Sequence, residues 1–135
     1  MSRARLLSVM ATVVLACGLG GLAASPASAT AIPLGNLALR LSDPDTGRVL
    51  RQATLTCVPT GGTHPDAQAA CTDLINANGN INNIPPAQGV FCPAIVLPVT
   101  ATAAGTWNGF RVSYGRTFVN SCYASVLTGG HVFHF

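Results

Sequence analysis

The sequence predicts an α+β domain, an antiparallel sheet with helices over one face, on three observations. Leu37, Leu39 and Leu41 alternate with Ala38, Arg40 and Ser42, and Ala53, Leu55 and Cys57 alternate with Gln52, Thr54 and Thr56. A period of two is that of half-buried strands. Ala67, Ala70, Cys71, Leu74 and Ala77 or Asn78 fall on one stripe at helical spacing. Phe110, Val112, Tyr114 and Phe118 then alternate with Arg111, Ser113, Gly115 and Thr117. Strands, a helix and more strands in that order place the helices together on one side of an antiparallel sheet.

The domain begins after a leader. Arg3 and Arg5 form a basic lead, Leu6 to Leu22 is largely apolar, and Ala27-Ser28-Ala29 is a small-x-small cleavage site. That order of regions is a secretory signal peptide over residues 1–29, leaving 30–135 as one domain outside the cell with no membrane segment of its own. Val14-Leu15-Ala16-Cys17 resembles a lipoprotein site, but Leu15 is bulkier than such a site usually carries, and Ala29 is the better-formed one.

Past the leader, Asp43-Pro44-Asp45-Thr46-Gly47 is a turn joining the first two strands. Val58 to Gly62 reads as a loop. Thr63-His64-Pro65-Asp66 opens the helix, with proline suited to its first turn and Asp66 to the positive end of its dipole; Gly79 stops it. Asn80 to Pro86 is polar and proline-rich, a loop. Val99 to Thr102 forms a strand, Trp107-Asn108-Gly109-Phe110 a tight hairpin turn, and Asn120 caps a short helix ending near Gly129-Gly130. Val132 to Phe135 is expected as a last strand.

Between these elements lies Phe91-Cys92-Pro93-Ala94-Ile95-Val96-Leu97-Pro98, with no charge and no side-chain hydrogen-bonding group but one thiol. Short apolar runs are usually buried strands. Two prolines argue against that, since each removes a ladder donor and fixes φ. What remains is a stiff, extended, apolar segment pinned by a cysteine. Such a segment fits a protease cleft, which binds its substrate as an added strand.

Charge and side-chain chemistry narrow the classes. Of seven Arg and Lys, Arg3 and Arg5 fall in the leader, so five arginines face four aspartates, with no Lys or Glu in the chain. A net charge near +1 gives no footprint for nucleic acid. No Gly-x-Ser-x-Gly elbow accompanies the three histidines, no cysteine pair has zinc-finger spacing, and no cofactor motif occurs. His131 and His134, three apart, would lie on opposite faces of a strand. His64 and Trp107 are assigned to structure. An enzyme is the least favoured class, and no metal or cofactor is expected.

Without Cys17, four cysteines remain, an even set that implies two disulfides. Three pairings are open. Cys57 with Cys71 joins the inward faces of a strand and the following helix; Cys92 with Cys122 ties the apolar segment to a capped helix turn. This is the pairing preferred.

Together these residues resemble the subtilisin-inhibitor family of exported actinobacterial protease inhibitors. Cys57-Val58-Pro59-Thr60-Gly61-Gly62-Thr63-His64-Pro65, followed by Ala70-Cys71-Thr72-Asp73-Leu74, is similar to that family's signature. Phe91-Cys92-Pro93, Gly105-Thr106-Trp107-Asn108-Gly109, Val112-Ser113-Tyr114, Phe118-Val119-Asn120-Ser121-Cys122 and the closing Val132-Phe133-His134-Phe135 also match. The resemblance implies a five-stranded antiparallel sheet with two helices packed on one side, the disulfide pairing above, and a homodimer. It implies a serine protease partner, subtilisin-like and by extension elastase-like. It places a reactive bond two residues past Cys-Pro, at Ala94–Ile95, where relatives commonly present Met or Lys before the bond. Phe91, Cys92, Pro93, Val96 and Leu97 would contact the protease. Asn120 would support the segment from behind by hydrogen bonds to its main chain; a plain helix cap accounts for it as well. The alternative class is a secreted disulfide-bonded binding or structural domain reusing the scaffold.

Overall fold

The computed structural model describes residues 24–135, so Cys17 and the basic and apolar parts of the expected leader lie outside the described residues. At its centre is β1 (Gly35–Ser42), flanked by β2 (Val49–Cys57) and β4 (Val99–Trp107), both antiparallel to it. The edges are β3 (Gly61–Gly62) and β5 (Phe110–Phe118), giving the sheet order β3-β2-β1-β4-β5. Leu39 stands opposite Ala53 on one side and Ala103 on the other. Leu37, Leu39, Leu41, Ala53, Leu55 and Cys57 are buried, so the predicted alternation sets the inner face.

Helix α1 (Ala67–Asn76) lays Ala70, Cys71 and Leu74 on that face, and Cys71 is bonded to Cys57. Asp66 is the N-cap, accepting from the Ala69 N–H at 3.4 Å. Pro65 therefore precedes the cap instead of filling the first helical turn. Asn78 and Gly79 take left-handed φ values of 51° and 76°, and the Gly79 N–H returns to the Leu74 carbonyl. Gly79 is further required by packing: a Cβ there would collide with the Trp107 indole. The second helix, α2 (Ser121–Val126), is shorter and buries Ala124 and Ser125 in the same layer. A second disulfide joins Cys92 to Cys122.

Several expectations are corrected. The fifth strand is Gly61–Gly62, inside the segment read as a loop, paired with Leu55 and Thr56. Two glycines carry no side-chain periodicity, so no pattern marks them as a strand. Val132–Phe135 is not a strand; beyond α2 the chain turns through Gly129 and Gly130, both at positive φ, and drops Val132 and Phe133 into the core. His131 and His134 therefore do not sit on faces of a strand. The His131 Nδ1 meets Asp73 Oδ2 of α1 at 2.8 Å, which ties this last turn to the helix. The Asn80–Pro86 loop holds a 3-10 turn, Ile81–Asn83, and buries Ile81 and Ile84 beneath its polar residues. β4 continues five residues past Thr102, to Trp107. The Asn108-Gly109 hairpin turn is as predicted, both residues at positive φ. Phe110 beside it is 75% exposed in spite of its place in the alternation.

Candidate functional site

The segment Phe91–Pro98 leaves the 3-10 turn region and enters β4 without adopting helix or strand. All its residues but the half-buried Cys92 are exposed, with Phe91 at 95% and Val96 at 75%. Exposure of so much apolar surface in one run is what a binding site shows and a stable core does not.

Its shape is imposed from behind by residues 119–126. The Leu97 N–H donates to the Val119 carbonyl at 3.0 Å. Asn120 Nδ2 donates to the Pro93 carbonyl at 3.2 Å and the Ile95 carbonyl at 2.8 Å. Cys92 is bonded to Cys122, and upstream the Ala87 N–H donates to the Val126 carbonyl at 2.8 Å. Asn120 is the N-cap of α2 as well, its Oδ1 accepting from the Tyr123 N–H at 3.1 Å. The two readings open in the sequence, cap and support, describe two ends of one amide. That side chain is buried, so each of its polar atoms needs the partner it has.

The geometry around Ala94 follows. In an extended chain, carbonyls two residues apart point the same way. Those of Pro93 and Ile95 are both drawn back onto Asn120, and Ala94 between them is exposed. The Ala94–Ile95 peptide is thus presented outward between two anchored carbonyls, with Pro93 restricting φ just before it.

The histidines are structural. The Asp66 N–H donates to His64 Nδ1 at 3.0 Å, so Nε2 carries the proton and donates to the Val132 carbonyl at 3.2 Å. Ser125 Oγ approaches His134 Nδ1 at 3.4 Å, yet that hydroxyl is buried and lies 3.2 Å from the Gly130 carbonyl it donates to. Neither arrangement presents a nucleophile with its base to a substrate.

Two features of the site escaped the sequence. The supports from Val119 and Val126 are backbone carbonyls, and no residue type signals them. In the hairpin tip of β1 and β2, Asp43, Pro44 and Asp45 share a cleft with Ile95 and Leu97.

A small antiparallel-sheet domain that holds out a disulfide-pinned, exposed, substrate-like segment defines a class: small protein inhibitors of proteases. The subtilisin inhibitor-like family model matches residues 35–120. The subtilase-type protease inhibitor of Streptomyces coelicolor is 41% identical over 133 residues, covering 90% of this chain and 92% of that protein. Subtilisin inhibitor-like protein 2 of Streptomyces rochei is 49% identical over 85 residues, 58% of this chain and 75% of the relative. Among solved structures, Streptomyces caespitosus sermetstatin in complex with Bacillus licheniformis subtilisin superposes with a TM-score of 0.61 at 34% identity, covering 74% of this chain and 97% of that one. This chain belongs to the subtilisin inhibitor-like family.

Proposed function

We propose that this chain is a secreted inhibitor of serine endopeptidases, subtilisin-like and also elastase-like, that offers Phe91–Leu97 as a substrate strand. The reactive bond is Ala94–Ile95. The observation that carries this reading is Asn120, whose amide holds the carbonyls of Pro93 and Ile95 on either side of the residue before that bond. A strand already held in its bound shape loses little conformational entropy on docking, so its contacts appear as affinity. Catalysis by this chain has no part in the reading.

Ala94 would fill the protease's primary pocket with a single methyl, which suits small or broad apolar pockets. Each buried methylene adds about 0.8 kcal/mol, so Ala94→Leu is expected to tighten binding to a roomy apolar pocket by roughly 2 kcal/mol. Ala94→Lys is expected to redirect inhibition to trypsin-like enzymes, whose pocket holds a carboxylate. Inhibition constants indifferent to residue 94 would show the bond to be misassigned.

We infer also that the leader directs export and that two copies pair through the open face of the sheet. That face carries Ala38, Thr54, Ala104 and Ser113, all exposed, with Arg40 and Arg111 as its charges. Small side chains let two sheets pack face to face at about 10 Å.

A further inference from the structure

The cleft between the β1–β2 tip and the strand after the reactive bond has a volume of about 470 Å³ and mostly apolar walls, including Leu50, Leu97 and Pro98. It is continuous with the protease-binding strand, since Ile95 and Leu97 line it too. Val96, between them, is not among its lining residues and stays 75% exposed, free to meet a docked enzyme. Pro93 is its one lining residue from the acyl side of the segment, whereas Ile95, Leu97 and Pro98 line it from the leaving-group side, so most of its contact with the segment lies past the bond.

Its charges are unevenly engaged. Asp43 Oδ1 accepts from the Asp45 N–H at 3.0 Å, the Thr46 N–H at 2.9 Å and the Thr46 hydroxyl at 3.0 Å, so that oxygen builds the turn while the carboxylate keeps its charge. Arg51 lines the cleft, but its Nη1 donates to the Phe135 carbonyl oxygen at 3.0 Å. Asp45 is exposed and has no ion-pair partner among the described residues, where the one pair is His131 with Asp73. The cleft thus combines apolar walls with two carboxylates, Asp43 and Asp45, against one guanidinium, Arg51, and Asp45 is the one of the three whose side chain makes no hydrogen bond among the described residues. A lysine or arginine side chain complements both, laying its aliphatic stem on apolar surface and keeping its charged head at the mouth.

We propose that this cleft is a second recognition point for the inhibited protease, receiving a Lys or Arg side chain from the enzyme's rim on the leaving-group side, with its head at Asp45. It rests on the assignment of the reactive bond to Ala94–Ile95. The cleft then selects among serine proteases by the charge of that rim, independently of residue 94.

The test uses Asp45→Asn and Asp45→Lys in the full domain against serine proteases of known structure with basic and with acidic rims. The Asp45 side chain makes no hydrogen bond among the described residues, and circular dichroism of each variant checks that the fold is kept. On basic-rim enzymes Asp45→Asn should weaken inhibition about fivefold at low salt, the scale of an exposed charge pair, and less at high salt. Asp45→Lys should weaken it further there and strengthen it on acidic-rim enzymes. Gln68→Lys, an equal charge step on the exposed side of α1, should not separate the two groups. A short amine-reactive linker on Asp45→Cys should capture a protease lysine on the leaving-group side. The proposal is overturned if residue 45 shifts both groups alike, or if the linker captures nothing from a basic-rim enzyme bearing a lysine there. If Ala94→Lys still redirects inhibition in that case, the cleft alone is wrong; if residue 94 is also without effect, the reactive bond and the cleft fall together.

Discussion

At the scale of single residues, Asn120 joins two functions, because one amide caps a helix and holds two loop carbonyls. Asn120→Asp separates those functions. It keeps an oxygen acceptor for the Tyr123 N–H, removes the Nδ2 donors, and sets a negative charge against the Pro93 and Ile95 carbonyls. The variant should stay folded yet be cleaved between Ala94 and Ile95 much faster than wild type during incubation with an inhibited protease, as read by mass spectrometry. Asn120→Ala should show the same cleavage with an added stability loss of about 1 kcal/mol for the cap, measured by denaturant unfolding. An Asn120→Asp variant as durable as wild type would leave Asn120 with the cap alone.

Among the elements, the Cys92–Cys122 bridge and the β1–β2 tip have separable tests. If a protease acylates at Ala94, as proposed, the Ile95 amine must stay beside the acyl-enzyme for the bond to re-form. Cys92 would then anchor the acyl side two residues from the proposed cut, with Val99 entering the sheet on the other. Two tethered ends give a high effective concentration, which favours religation over hydrolysis. The Cys92→Ser, Cys122→Ser double variant is therefore expected to lose inhibition progressively with a catalytic amount of protease. Circular dichroism must show it folded, since the lost bridge also costs about 3–4 kcal/mol in the chain-entropy account. At the tip, the Thr46 backbone N–H, and then the Thr46 hydroxyl, hold the Asp43 carboxyl below its ordinary 3.8. The sign follows from linkage: the turn's stabilisation is present above that ordinary value and lost as pH falls through the depressed one. A carboxyl titration by NMR should place the Asp43 midpoint below 3.8, with Thr46 amide protection lost over the same range. A midpoint at or above it would contradict the turn geometry.

For the whole molecule, the question is what covers the open face of the sheet. A domain with so few charged side chains that leaves one sheet face of small residues uncovered has a ready self-complementary surface. Light scattering or sedimentation over a dilution series is expected to give a dimer, and Ala104→Arg at the face should shift it to monomer without altering inhibition by the strand at the sheet's end. A wild-type chain monomeric at high micromolar concentration would refute the pairing.

Much of this protein was determined by sequence alone. The alternation at 37–41 and 53–57, the helical stripe from Ala67 to Ala77, the Asn108-Gly109 turn and the even set of cysteines each encode burial or backbone dihedrals locally, and the structure follows them. The proline-bounded apolar run likewise marks itself as exposed, because proline excludes it from a ladder. Tertiary structure alone decided the rest. Gly61–Gly62 became the fifth strand through main-chain bonds to Leu55 and Thr56, while Val132 and Phe133, patterned as a strand, were buried in a turn. Val119 and Val126 support the loop with carbonyls that any residue could supply. The tip at Asp45 reaches Leu97 only because β1 lies between β2 and β4 in the sheet. Side-chain periodicity reports how a residue meets the core, but backbone hydrogen bonds have no side-chain signature. Which carbonyl meets which amide is settled only when distant segments pack.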